Sequence, residues 1–118
     1  MIKPQLLREG TGRASVSLST YSMGEDLVVY LFNERAHLGA VAVAEYSPAE
    51  ERTSTSVITR LGHKDDVVAS NAARRLCKHL KSPVCVIAGI HLDGITMDEL
   101  TQITKNCDKL VERLIGNQ

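Results

Sequence analysis

The chain has 118 residues and a mass of 12.9 kDa, a length that suits a single domain spanning residues 1–118. Fourteen basic residues balance fourteen acidic ones, and aromatic residues make up only 3% of the chain. This composition counts against nucleic-acid binding, which usually requires basic excess or aromatic stacking platforms. No apolar run is long enough to cross a bilayer, and the three cysteines form no CxxC pair. We therefore expect a cytoplasmic protein with reduced thiols and no membrane partner.

The first half of the chain has the patterns of β-strands. In residues 14–19, apolar residues alternate with serines, as in a half-buried strand. The β-branched and aromatic run at 27–32 predicts a second strand, residues 38–44 a third, and residues 56–59 a fourth. The third strand is kept slim by small residues, so something can pack closely over it: Gly39, Ala40, Ala42 and Ala44.

After residue 62, the spacing of the apolar residues changes from that of a strand to that of a helix. Asp65 or Asp66 is a suitable N-cap, and Pro83 ends the pattern. Apolar residues recur there every four positions and predict an amphipathic helix: Val68, Ala72, Leu76 and Leu80.

A short strand and a long helix complete the predicted fold. The apolar run at 84–90 predicts a central strand covered on both faces. Thr96 and Glu99 have the spacing of a capping box, and the closing helix that follows ends at Gly116.

The predicted order ββββαβα is that of an α/β (α+β) fold with the helices packed on the sheet. Short connections favour an antiparallel meander of the first four strands. Strands 56–59 and 84–90 are separated by a helix, so we expect them to be parallel neighbours joined by a right-handed βαβ crossover. The loops that follow them, 61–65 and 91–95, then emerge with two helix N-termini at one rim, where ligands of open α/β sheets bind.

Each of these loops has a histidine two residues before an aspartate: His63 precedes Asp65, and His91 precedes Asp93. Two imidazoles and two carboxylates are suitable ligands for a divalent ion. The aspartates could instead orient the imidazoles or cap the following helices.

A phosphate site is a further interpretation of the same rim. Residues 60–82 contain six basic residues and two acidic ones. Helix N–H groups would bind a phosphate there, with Lys64 or Arg60 supplying positive charge.

Two segments resemble a known family. Residues 62–66 read Gly-His-Lys-Asp-Asp, and residues 88–96 read Ala-Gly-Ile-His-Leu-Asp-Gly-Ile-Thr. With the four-strand opening and the final amphipathic helix, they resemble the LpdD-like prenylated flavin chaperones, whose fold is similar to that of proteasome assembly chaperones. The resemblance covers the chain from about Arg13 onward.

The resemblance implies a non-catalytic accessory protein that binds prenylated FMN and delivers it to a UbiD-type hydroxyarylic acid decarboxylase. His63, Lys64, His91 and Asp93 match the family segments and are the implied cofactor-binding residues. Arg60 is added to them for its charge and position. The small residues of the third strand would leave room for a flat ring system or a second subunit. Because aromatic residues are scarce, we expect a site shared between subunits of a homo-oligomer, a dimer or higher.

Two other functions remain open. A scaffold or assembly chaperone would bind a protein partner without any cofactor. A small metal-dependent hydrolase would use the His/Asp cluster.

Overall fold

A computed structural model describes residues 3–61 and 65–117. These residues form six strands and two α-helices, with a short 3₁₀ turn at Gly12–Ala14. In chain order the elements are β1 (Leu6–Glu9), β2 (Val16–Met23), β3 (Asp26–Phe32), β4 (Ala40–Ser47), β5 (Arg52–Thr59), α1 (Asp66–Leu80), β6 (Val84–Gly89) and α2 (Met97–Gly116).

The six strands form one mixed sheet in the order β1-β2-β3-β6-β4-β5. Within the described residues the single parallel pair is β3–β6, and the other pairs are antiparallel. The predicted α/β (α+β) class with one parallel pair is confirmed, but the strand order differs from the prediction in three respects.

First, β1 was not predicted. Second, the four early strands do not form a continuous meander, because β6 lies between the hairpins β2–β3 and β4–β5. Third, β5 and β6 were expected to be neighbours, and β4 separates them. The physical reason lies in β6 itself: Val84, Val86 and Ala88 are completely buried, and such an apolar strand is most stable at the centre of a sheet.

The two helices cover one face of the sheet. Helix α1 packs against β4, β5 and β6, and α2 packs against β1, β2 and the 3₁₀ turn. The small residues of β4 are buried beneath α1, whose facing side is also made of small residues: Ala40, Ala42, Ala44, Ala69, Ala72 and Ala73. The slim strand therefore lets a helix approach closely, as the small residues of its sequence predicted.

The other sheet face, here called the open face, is covered by no helix in the described part of the chain. Its side chains are those that alternate with the buried core residues. The prediction that β6 is covered on both faces is therefore wrong, since Cys85 and Ile87 on the open face are only partly buried. Tyr21, Tyr30 and Val43 on this face keep between 41% and 47% of their surface exposed. None of the described helices is long and apolar enough to cross a membrane.

Both predicted helix starts are confirmed. Asp65 is the N-cap residue of α1, and its Oδ2 accepts a hydrogen bond from the backbone N–H of Ile90 at 3.2 Å. Thr96 and Glu99 form the capping box of α2, with both reciprocal hydrogen bonds at 3.1 Å.

The strand directions gather several chain segments at one end of the sheet, here called the rim. Strands β3, β5 and β6 end at the rim, whereas β2 and β4 begin there. The loops after β5 and β6 therefore leave the sheet at the same edge, as the sequence predicted, although two strand spacings rather than one separate them, about 10 Å.

Candidate functional site

The loop that follows β6 is fixed to the turn that follows β3. Because β3 and β6 are parallel neighbours, Phe32 and Gly89 are in register and the two loops start side by side. The Asn33 side chain donates to the carbonyl of His91 at 2.7 Å and accepts from the His91 backbone N–H at 3.1 Å. Asn33 is only 7% exposed, so this pair of hydrogen bonds holds the loop from within the protein.

The side chains of this loop form a charged network at the rim. His91 Nε2 and Asp93 Oδ1 are 2.8 Å apart, and Arg35 Nη1 lies 3.1 Å from Asp93 Oδ2. The hydrogen bond from His91 lowers the pKa of Asp93, and the charges of His91, Arg35 and Arg13 lower it further. The ring of His37 packs beside that of His91, with centroids 5.0 Å apart.

Arg13 links the network to the start of α2. Its Nη2 donates to the Asp93 carbonyl at 2.7 Å, and its Nε donates to Glu99 Oε2 at 2.7 Å. Glu99 is also the acidic member of the capping box. The backbone N–H of Thr96 and the guanidinium of Arg13 together hold the pKa of Glu99 below its usual value.

A cavity of about 560 Å³ lies beside this network. We call it the arginine basin, because three guanidinium groups line it together with polar residues, a few apolar ones and two carboxylates: Arg8, Gly12, Arg13, Ser15, Ser17, Phe32, Asn33, Glu34, Arg35, Leu92 and Asp93.

A second cavity of about 320 Å³ lies on the open face next to the basin. We call it the aromatic hollow, because its walls are mostly apolar and include three aromatic rings and a histidine: Ser19, Tyr21, Tyr30, Leu31, Phe32, Ala36, His37, Leu38, Ile87 and Gly89. The rings of Tyr21 and Tyr30 are 4.7 Å apart. Phe32 lines both cavities and forms the border between them.

The structure brings only some of the predicted site residues together. His91 and Asp93 are in direct contact at the rim. Arg60 follows β5 on the other side of β4, where its Nη1 donates to the Leu38 carbonyl at 2.8 Å. Within the described ranges, Arg60 lines neither the basin nor the hollow. His63 and Lys64 lie outside the described residues, as does the expected meeting of His63 with His91.

The metal interpretation receives no geometric support from the described ranges 3–61 and 65–117. They contain no group of three or more His, Cys, Asp or Glu side chains placed to hold an ion. Asp65 is one of the four residues considered for a metal, and its Oδ2 accepts a hydrogen bond from the backbone N–H of Ile90.

Sequence reasoning missed the basin because its arginines come from segments without a clear pattern. Arg8 lies on the unpredicted strand β1, and Arg13 lies in a 3₁₀ turn. The available signal was the row of alternating serines at the start of β2, where Ser17 and Ser15, the residue directly before the strand, line the basin.

The family model of the prenylated flavin chaperone LpdD-like domain matches residues 10–118. The chain belongs to this family. The match begins close to Arg13, where the sequence resemblance also begins, and it includes both rim loops. The predicted resemblance is therefore confirmed for nearly the whole chain, and the protein is a member of a chaperone family.

The fold has a counterpart among solved structures. A chain of a chaperone complex for yeast 20S proteasome assembly superposes with a TM-score of 0.61 and 15% sequence identity. The superposition covers 96% of this chain and 97% of that one. At this identity the likeness shows the fold alone, and it confirms the proteasome-assembly-chaperone-like architecture. No protein of curated function matches the sequence significantly.

Proposed function

We propose that this protein is a non-catalytic accessory protein that binds prenylated FMN and delivers it to a UbiD-type hydroxyarylic acid decarboxylase. The observation that carries the proposal is the family match over residues 10–118, which includes the His91–Asp93 segment beside the basin.

The residues around the two cavities fit such a ligand. A flavin mononucleotide has a phosphate at one end, and guanidinium groups form charge-assisted hydrogen bonds with phosphate oxygens. Its ring system is flat and mostly apolar, and aromatic side chains pack well against such rings. The basin offers guanidinium groups for the phosphate, and the hollow offers aromatic side chains for the ring system.

The roles of this chain are binding and shelter. The His91–Asp93 pair supplies a hydrogen-bonding wall at the rim, and the hollow supplies an apolar surface that excludes water. The chemistry of the prenylated flavin would take place in the decarboxylase that receives it, and not on this chain. We include Arg60, His63 and Lys64 in the proposed binding surface, because the loop after β5 leaves the sheet at the same rim.

Anaerobic titration with reduced prenylated FMN tests the proposal. We expect one ligand per chain, bound with a Kd in the micromolar range or below, and faster activation of an apo-decarboxylase when the loaded protein is the donor. His91→Gln should weaken binding, whereas His79→Gln, on the exposed side of α1, should not.

Absence of binding at micromolar concentrations would end the proposal. If the protein is a scaffold instead, His91→Gln should not affect its binding. A protein partner would then bind without flavin.

A further inference from the structure

The three guanidinium groups of the basin differ in whether they contact a carboxylate. Arg13 contacts Glu99 through Nε and Nη2, and Arg35 contacts Asp93. Arg8 instead donates from Nε to the hydroxyl of Ser15 at 2.9 Å. Among the described residues, Arg8 has no carboxylate partner, and its two terminal amino groups make no hydrogen bond. Its positive charge is therefore not compensated by any contact in the described structure.

The carboxylates of the basin do not cancel this charge. Asp93 already interacts with both His91 and Arg35. The Arg35 and Asp93 side chains are 73% and 70% exposed, and exposed ion pairs of this kind contribute little to stability. An incoming dianion can thus recruit Arg35 at small cost. Glu34 is exposed and is free to extend into solvent.

The backbone register connects the basin to the hollow. Ser17 pairs with Phe32 and Ser19 pairs with Tyr30, so the two cavities occupy successive open-face positions of the β2–β3 hairpin. Successive positions on one face of a strand are about 7 Å apart. A ligand with an anionic end and a flat apolar end can therefore lie along β3, across Phe32.

We propose that the arginine basin is the phosphate subsite of the bound flavin, with Arg8 as its principal anchor, and that the ring system extends across Phe32 into the aromatic hollow. This inference rests on the proposed function and adds to it an orientation and a set of contact residues. It places the phosphate near β1 and β2, away from the helix N-termini on which the sequence prediction relied.

Paired titrations test the inference. Reduced prenylated FMN and its dephosphorylated counterpart, prenylated riboflavin, are titrated into the wild-type protein, Arg8→Gln and Arg52→Gln. Arg52 starts β5 at the end of the sheet opposite the rim, so its variant is the matched control for loss of one arginine.

We expect the wild-type protein to bind the phosphorylated form about tenfold more tightly. Arg8→Gln should lose most of this preference while keeping its affinity for prenylated riboflavin, and Arg52→Gln should behave as wild type. Arg8→Lys should recover only part of the preference, because lysine lacks the planar fork. Equal Tm values would show that the variants are folded.

Two outcomes separate failure of the inference from failure of the proposed function. If the wild-type protein binds neither flavin, the proposed function itself is wrong. If it binds both equally, or if Arg8→Gln keeps the full preference, the flavin function stands and the basin is not its phosphate subsite.

Tyr30→Leu tests the position of the ring. The substitution removes an aromatic wall of the hollow while keeping an apolar side chain. We expect it to weaken binding of both flavins by a similar factor. Unchanged affinity for both would show that the ring does not occupy the hollow.

Discussion

Asn33 and His91 are 58 positions apart in the chain, yet the side chain of the first makes two hydrogen bonds with the backbone of the second. This pairing depends on the parallel contact between β3 and β6, which places the two loops side by side. The position of the His91–Asp93 segment is therefore set by strand pairing rather than by the loop itself.

Asn33→Ala should release the loop after β6. A partly buried donor and acceptor on the His91 backbone would lose their partners, and we expect the free energy of unfolding to fall by about 1–3 kcal/mol. Urea denaturation measures this change. Asn117→Ala, which removes an exposed side-chain hydrogen bond to Gln5, is the control and should change stability by less than about 0.5 kcal/mol. Equal effects of the two variants would contradict the assigned role of Asn33.

Asp93 should make stability depend on pH in the acidic range. Its pKa is lowered in the folded protein, first by the hydrogen bond from His91. A carboxylate of this kind stabilises the fold above its unfolded pKa of about 4, and the contribution is lost as the pH falls through the folded pKa. The Tm advantage of wild type over Asp93→Asn should therefore shrink as the pH drops below about 4.

Thermal melts between neutral and strongly acidic pH would measure the difference in Tm between wild type and Asp93→Asn. Glu25→Gln removes a carboxylate from the exposed turn between β2 and β3 without touching this network, and it serves as the reference for nonspecific charge effects. A Tm advantage that grows on acidification would show that the sign of the Asp93 contribution is wrong.

Gly39→Ala should destabilise the junction between β4 and α1. A Cβ at position 39 would run into the carboxyl group of Asp65, with its Cγ only 2.8 Å away. Asp65 cannot move freely, since its Oδ2 holds the N–H of Ile90. We expect a loss of about 1–3 kcal/mol in the free energy of unfolding, measured by urea denaturation.

Gly116→Ala is the natural control for that substitution. Gly116 lies at the end of α2 with nothing within 4 Å of the added methyl group. Alanine has the higher helix propensity, so this variant should be neutral or slightly more stable. Similar destabilisation by both alanines would contradict the proposed steric conflict.

The three cysteines should differ in reactivity. Burial raises the pKa of Cys107 to about 12, with smaller contributions from Asp108 and Asp65. Cys77 is completely buried, and burial also raises its pKa. Cys85 is partly exposed, so alkylation of the native protein at pH 8 should modify it first, and slowly, because burial raises its pKa as well.

Peptide mapping after timed alkylation identifies the modified thiol. Cys85→Ser should remove the early phase, whereas Cys77→Ser should leave it. Modification of Cys107 before Cys85 would show that α2 opens more readily than its buried position indicates.

Local features of this fold were predictable from the sequence, and long-range ones were not. The capping box of Thr96 and Glu99 depends on residues three apart, and the structure confirms it. The apolar run of β6 correctly indicated a central strand. Its neighbours could not be deduced, because periodicity shows which faces are buried but not which strand lies alongside.

The candidate site likewise was predictable only where its residues are close together in the sequence. His91 and Asp93 are two residues apart and were recognised as a pair, and they are in contact. Arg8, Arg13 and Arg35 reach the basin only through the pairing of β1 with β2 and of β3 with β6. No spacing along the chain connects them.

The position of β6 also affects the order in which a growing chain can fold. During synthesis, the hairpins β2–β3 and β4–β5 precede β6, and each pairs residues that are close in the sequence. They touch one another through β6 alone within the sheet, and that strand is complete only at residue 89. A chain that lacks β6 therefore has two unjoined hairpins whose inner strands, β3 and β4, have unpaired edges, and such edges are open to pairing with other chains.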